Sequence, residues 1–61
     1  GDEEAKNIVE IVCKILNASE LKNMERGIRN RYLKELKETY GLSSRQIERL
    51  TGISRGVVSK V

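Results

Sequence analysis

The stretch LSSRQIERLTGISRGVVSKV, Leu42–Val61, decides the fold of this 61-residue chain. Its spacing predicts two short helices, 43–51 and 54–61, joined by a tight turn at Gly52. Gly41 is expected to stop the helix before them, because a residue just past a helix end is often left-handed and glycine adopts that conformation without strain. The rest of the chain is therefore expected to support this helix pair.

Serine residues mark the start of both short helices. Ser43 and Gln46 form an S-x-x-Q capping box, in which each side chain can reach the backbone N–H of the other residue. Ser54 is the expected cap of the second helix, and Ile53 is an apolar plug in the turn. The residues expected to face the core from the second helix are Val57, Val58 and Val61.

The pattern Q-I-x-x-L-T-G-I-S-R-x-x-V-S, within 46–59, resembles the bacterial helix-turn-helix. In that family the second helix enters the major groove of DNA. The resemblance covers about a third of the chain. Glu48 departs from it, since the family has a small residue there, and we expect Glu48 to tilt outward. The alternative is a helical hairpin without a DNA role.

Charge is distributed unevenly along the chain, although its net value is only +3. Residues 1–25 carry six acidic and three basic side chains, whereas residues 26–61 carry nine basic and three acidic ones. The basic part contains the two short helices, which favours a polyanionic partner on that side. The alternative is that these charges form an ordinary solvated surface.

The first helix is predicted over 2–17, with acidic residues at its start, where the helix dipole favours them. Its apolar residues span an arc of about 200°, wider than the stripe of a typical surface helix. The helix is expected either to lie between two others or to pack, through Ile11 or Cys13, on a second copy or a missing domain. Cys13 is otherwise expected to be a small buried apolar residue.

Two further helices are predicted in the middle of the chain. Ser19 is expected to cap a short helix over 19–24, and apolar spacing predicts a long helix over 28–40. Gly27 is expected to break the chain between them and to leave a basic loop. Arg29 lies on the apolar stripe of the long helix, so it must reach outward, toward a DNA minor groove or alternatively toward Glu25.

This order of elements is similar to the C-terminal DNA-binding domain of the replication initiator DnaA and to the Trp-repressor-like group. The resemblance implies a basic loop at the minor groove and a helix-turn-helix in the major groove. DnaA has Arg-Asp-His-Thr-Thr entering its last helix, whereas this chain has Ser-Arg-Gly-Val-Val at 54–58 and no His. The run from Arg29 to Val61 looks more like the C-terminal accessory domain of single-strand-transferring tyrosine transposases.

The composition argues against an enzyme. The chain has no His for acid–base catalysis, one Cys and no glycine-rich phosphate loop, so we expect no metal and no cofactor. The transposases use a histidine pair and a tyrosine in another domain, whereas Tyr32 and Tyr40 here fit a core face. No apolar run approaches the roughly 20 residues of a membrane span.

The sequence therefore predicts an all-α bundle of about five helices, a single domain over 1–61 and a fragment of a larger bacterial protein. Double-stranded DNA is the expected partner, with a homodimer or missing domain through the first helix, in the cytoplasm on the nucleoid. Arg55 is the expected base contact. The full set of predicted DNA-binding residues is Arg26, Arg29, Arg31, Ser44, Arg45, Arg49, Ser54, Arg55, Gly56, Ser59 and Lys60.

Overall fold

The computed structural model describes all 61 residues, which form five helices and no strand. This confirms the predicted all-α bundle. In chain order the elements are α1 (Asp2–Cys13), a 3₁₀ helix (Ala18–Asn23), α2 (Arg26–Glu38), α3 (Ser44–Thr51) and α4 (Arg55–Lys60). None of these helices is long and apolar enough to cross a membrane.

Helix α1 ends at Cys13, four residues before the predicted end. Lys14 adopts a left-handed conformation, with φ of 60°, and turns the chain away. The N–H groups of Lys14 and Ile15 both donate to the carbonyl of Glu10, which satisfies the helix end without a glycine. Leu16 thus lies beyond the helix and is 89% exposed.

The wide apolar arc of α1 is only partly covered. Ala5, Val9 and Cys13 are buried, whereas Ile11 is 76% exposed. Burial raises the pKa of the Cys13 thiol to about 11, and the negative charge of Glu35 adds to the effect. Cys13 is therefore an unreactive core residue, as predicted, and Ile11 is the edge of α1 that remains uncovered.

The short helix is a 3₁₀ helix that begins at Ala18, with Asn17 rather than Ser19 at its N-cap. The backbone N–H of Asn17 donates to the Glu20 carboxylate at 2.8 Å. Leu21 of this helix is fully buried. The predicted cap was wrong because the Glu20 carboxylate satisfies the helix start from inside.

Helix α2 begins at Arg26, so the predicted break at Gly27 and the basic loop after it are wrong. Glu25 is the N-cap, and its carboxylate accepts the N–H groups of Gly27 at 2.8 Å and Ile28 at 3.1 Å. These two bonds hold the pKa of Glu25 below its usual value. The cap offsets the low helix propensity of glycine and keeps Gly27 in the first turn.

The inner face of α2 follows the predicted spacing only in its middle. Leu33 and Leu36 are fully buried, whereas Ile28 and Tyr40 are 42% and 43% exposed. Ile28 lies in the first turn, and Tyr40 follows the last helical residue, Glu38, so both project past the core. The predicted helix 28–40 is thus shifted by two residues toward the N-terminus.

The two short helices are capped by Ser43 and Ser54, as predicted. Gly41 and Gly52 have φ values of 71° and 80°, which glycine adopts without strain. Ile53 is buried in the turn between α3 and α4. The predicted helix pair is confirmed, with each helix proper starting one residue after its cap.

The predicted capping box at Ser43 is half formed. The Ser43 hydroxyl accepts the Gln46 N–H at 3.1 Å. The Gln46 side chain does not return to Ser43, because its amide donates to the Asp2 carboxylate at 3.2 Å. That contact connects the start of α3 to the start of α1.

Candidate nucleic-acid interface

Helix α4 exposes all of the predicted contact residues at its start and along its length. Val58 is fully buried and fixes which side of the helix faces the core. The exposed contact residues are Ser54, Arg55, Gly56, Ser59 and Lys60. A Cβ atom added at Gly56 would meet nothing within 4 Å, so nothing in the domain obstructs approach at this position.

Two side chains satisfy the N-terminus of α4. The Ser54 hydroxyl accepts the Val57 N–H at 3.3 Å. The Glu48 carboxylate of α3 accepts the Arg55 N–H at 3.1 Å. Glu48, the residue that departs from the resemblance, therefore acts as a second cap of α4. Its side chain is only partly exposed, so it tilts outward less than expected.

The C-terminus of α4 is held by a side chain that the sequence analysis did not identify. The Lys37 ammonium of α2 donates to the carbonyls of Val58 and Val61, each at 2.8 Å. Lys37 is partly buried, and both bonds are charge-assisted. A helix of only six residues is thereby fixed at both ends.

Val57 was predicted to face the core, but the structure places it at the surface. Its side chain is 36% exposed, whereas Val58 is fully buried and Val61 is half-buried. A helix this short can bury only one narrow side, and Val58 occupies it. Val57 instead lines a surface pocket at the junction of α4 and α2.

The predicted contact residues of α3 differ in their availability. Arg45 is exposed and makes no ion pair. Ser44 is half-buried, and its hydroxyl oxygen lies 3.2 Å from that of Ser59. Arg49 donates twice to the Asp2 carboxylate, at 3.0 and 3.1 Å, so it is already partnered.

The Asp2–Arg49 pair changes the titration of both groups. The hydrogen bond from Arg49, followed by the one from Gln46, holds the pKa of Asp2 below its usual value. The same bond raises the pKa of Arg49. Both side chains are about half exposed, so water and salt screen the pair. A phosphate group approaching Arg49 would have to compete with Asp2.

The start of α2 contributes the second basic group. Arg29 is partly buried and does not pair with the Glu25 carboxylate, which the helix start occupies. Its guanidinium donates to the Asn30 side-chain oxygen through Nε at 3.0 Å and Nη2 at 2.9 Å. The predicted minor-groove contact of Arg29 depended on a loop at Gly27, and the chain forms no loop there.

A pocket of about 500 Å³ gathers several of the predicted residues. Its lining consists of Arg26, Arg29, Asn30, Val57, Lys60 and Val61. Arg31 is exposed and lies outside it, as do the contact residues of α3. The structure thus brings the start of α2 and the end of α4 together and leaves Arg31, Arg45 and Arg49 apart from that pocket.

Sequence reasoning missed three residues that organise this surface: Asp2, Lys37 and Glu48. Lys37 lies four residues after Leu33 and one after Leu36, so it borders the buried stripe of α2. This position in the sequence could have indicated that its side chain contacts another helix. Glu48 was visible as a departure from the resemblance. Nothing local in the sequence connects Asp2 with Arg49.

No family model, curated protein or solved structure matches the chain. The function must therefore be argued from the residues and their arrangement. No group of three or more His, Cys, Asp or Glu side chains could hold a metal ion.

Proposed function

We propose that this chain is a sequence-specific binding domain for double-stranded DNA, with α3 and α4 acting as a helix-turn-helix. The proposal rests on the exposure of α4 and on the contacts that hold its two ends. The five predicted contact residues at its start and along it are all exposed, while Ser54, Glu48 and Lys37 hold both of its ends. A reading helix needs this combination of a free face and a fixed position.

The electrostatic arrangement supports the same partner. Among the predicted contact residues, six cations take part in no ion pair: Arg26, Arg29, Arg31, Arg45, Arg55 and Lys60. Neutralisation of phosphates by such cations supplies the sequence-independent part of DNA binding. Arg55, near the start of α4, is the residue best placed to reach a base edge.

The resemblance of the stretch from Arg29 to Val61 suggests the biological role. We propose that the domain targets DNA for a transposase or a replication-initiator-like protein, on the nucleoid of a bacterial cytoplasm. In the transposase case the catalytic groups would lie in another domain. A helix-turn-helix transcriptional regulator is the alternative within the same class.

Salt dependence of duplex binding tests the DNA proposal. The domain should bind a labelled duplex with an affinity that falls linearly on a plot of log K against log salt, because bound cations release counterions from DNA. Selection from a random duplex library at fixed salt should then yield a defined motif. An affinity that is independent of salt, or the absence of duplex binding at low salt, would contradict the proposal.

One observation favours a second candidate, a helical interaction module. Ile11 is 76% exposed and Leu16 is 89% exposed, on and just beyond α1. Two large apolar side chains this exposed are consistent with packing on a second copy or on a domain outside this chain. The homodimer predicted through α1 therefore stays a proposal, compatible with DNA binding on another face.

Ile11→Glu tests the homodimer. If α1 forms the dimer contact, this variant should remain monomeric at concentrations where the unaltered domain dimerises, because a charge would be buried in the contact. Sedimentation at high protein concentration measures the change. Ile28→Glu, at a half-exposed position on α2, is the matched control and should leave the dimer intact. A strict monomer at millimolar concentration contradicts the homodimer.

A further inference from the structure

The pocket between α2 and α4 concentrates positively charged side chains. Arg26 and Arg29 lie in the first turns of α2, and Lys60 lies at the end of α4. No acidic residue is part of the lining, and none of the three cations forms an ion pair. Like charges around one concave surface repel each other, so this arrangement favours an anionic occupant.

The other lining residues indicate what kind of anion fits. Val57 and Val61 provide apolar surface beside the cations, and Asn30 provides an amide. Deoxyribose and phosphate alternate along a DNA strand, so a strand presents apolar and anionic surface side by side. A phosphodiester with its adjoining sugars matches this mixed lining better than a free anion.

The side chain of Arg29 is held in place by its neighbour Asn30. Its Nε and Nη2 atoms both donate to Asn30, which leaves the Nη1 side of the guanidinium for an occupant. This orientation confines Arg29 to the pocket, whereas a minor-groove contact would need the side chain to extend freely. Both bonds go to the same Asn30 oxygen and limit the rotation of the guanidinium, whose remaining N–H groups can still donate to an anion.

We propose that the pocket formed by Arg26, Arg29 and Lys60 binds one internal phosphodiester of the DNA strand that passes the C-terminal end of α4. The inference rests on the proposed DNA-binding function and adds a defined second contact to it. It replaces the minor-groove role expected for Arg29. Because a phosphate carries no sequence information, this contact sets the register of the domain on the duplex.

The experiment uses the selected duplex, synthesised without terminal phosphates, and a series in which single internal phosphates are replaced by uncharged methylphosphonates. The unaltered domain should lose affinity at one linkage beside the α4 contact region. Arg29→Gln should bind the unmodified duplex more weakly, with a salt slope lower by about 1, and should be insensitive to neutralisation of that same linkage. The control Lys34→Gln removes one charge from an exposed position of α2 outside the pocket.

The outcomes separate this inference from the proposed function. If the domain binds the duplex in a salt-dependent manner but Arg29→Gln remains sensitive at every linkage, or behaves as Lys34→Gln does, the pocket assignment is wrong while DNA binding stands. If added 5′-phosphates raise affinity through Arg29 and internal linkages do not matter, the occupant is a strand end and the internal assignment fails. If no duplex is bound, both proposals fail.

Discussion

Leu33→Ala is expected to leave a large fraction of the domain unfolded at room temperature. Leu33 is fully buried in the middle of α2. Truncating such a leucine costs about 2–5 kcal/mol, through lost burial and the cavity left behind. A core of this size supplies roughly 3–5 kcal/mol of net stability, so one cavity can remove most of it.

Chemical denaturation followed by circular dichroism measures the effect. The matched control is Leu16→Ala, the same change at a side chain that is 89% exposed. It should shift the unfolding midpoint little, because almost no contact is lost. Equal midpoints for the two variants would contradict the burial pattern on which the fold description depends.

Arg55→Ala is expected to relax the sequence preference of the domain at one base pair. Arg55 is exposed at the first position of α4, and its backbone N–H is fixed by Glu48. An arginine that contacts guanine through two hydrogen bonds contributes about 1–3 kcal/mol of discrimination. The preference at that base pair should therefore fall by about 5- to 150-fold.

Parallel selections from a random duplex library with the unaltered domain and the variant measure this change. Lys60→Ala is the control, since Lys60 lies at the other end of α4 and is expected to contact phosphate. It should weaken binding to all duplexes alike and leave the selected motif unchanged. An unchanged motif with Arg55→Ala, or an altered one with Lys60→Ala, would overturn the assigned roles.

Local sequence signals predicted the α3–α4 pair because each signal has a direct physical counterpart. Ser43 and Ser54 provide hydroxyl caps, and Gly52 adopts the left-handed conformation that ends α3. Ile53 is buried between the helices as its apolar character requires. These interactions lie within a few residues of one another, so no tertiary information is needed to find them.

The end of α1 and the start of α2 were predicted wrongly because less typical residues take the capping roles there. Lys14 ends α1 in a conformation that is usually left to glycine, and Glu25 caps α2 in place of Ser, Thr, Asp or Asn. Gly27 therefore signalled a break that the Glu25 carboxylate prevents. Propensity is a weak guide wherever a specific side chain satisfies the backbone.

The candidate site was predictable residue by residue but not as an arrangement. The exposed residues of α4 were predicted individually from helical spacing, except for Val57, which was expected to face the core. The pocket does not follow from spacing, because the residues from Arg26 to Asn30 and those from Val57 to Val61 meet only through packing. The pairing of Asp2 with Arg49 spans most of the chain and has no local signature.

Under the proposed DNA-binding function, the bonds from Lys37 bear on how the domain can change its target during evolution or design. Both acceptors are main-chain oxygens, at Val58 and Val61, and every residue type provides such an oxygen. The outer positions Arg55 and Ser59 can therefore be exchanged without loss of the attachment of α4 to α2. A helix anchored through its backbone can change its outer side chains, and with them the proposed base preference, while it stays attached to α2.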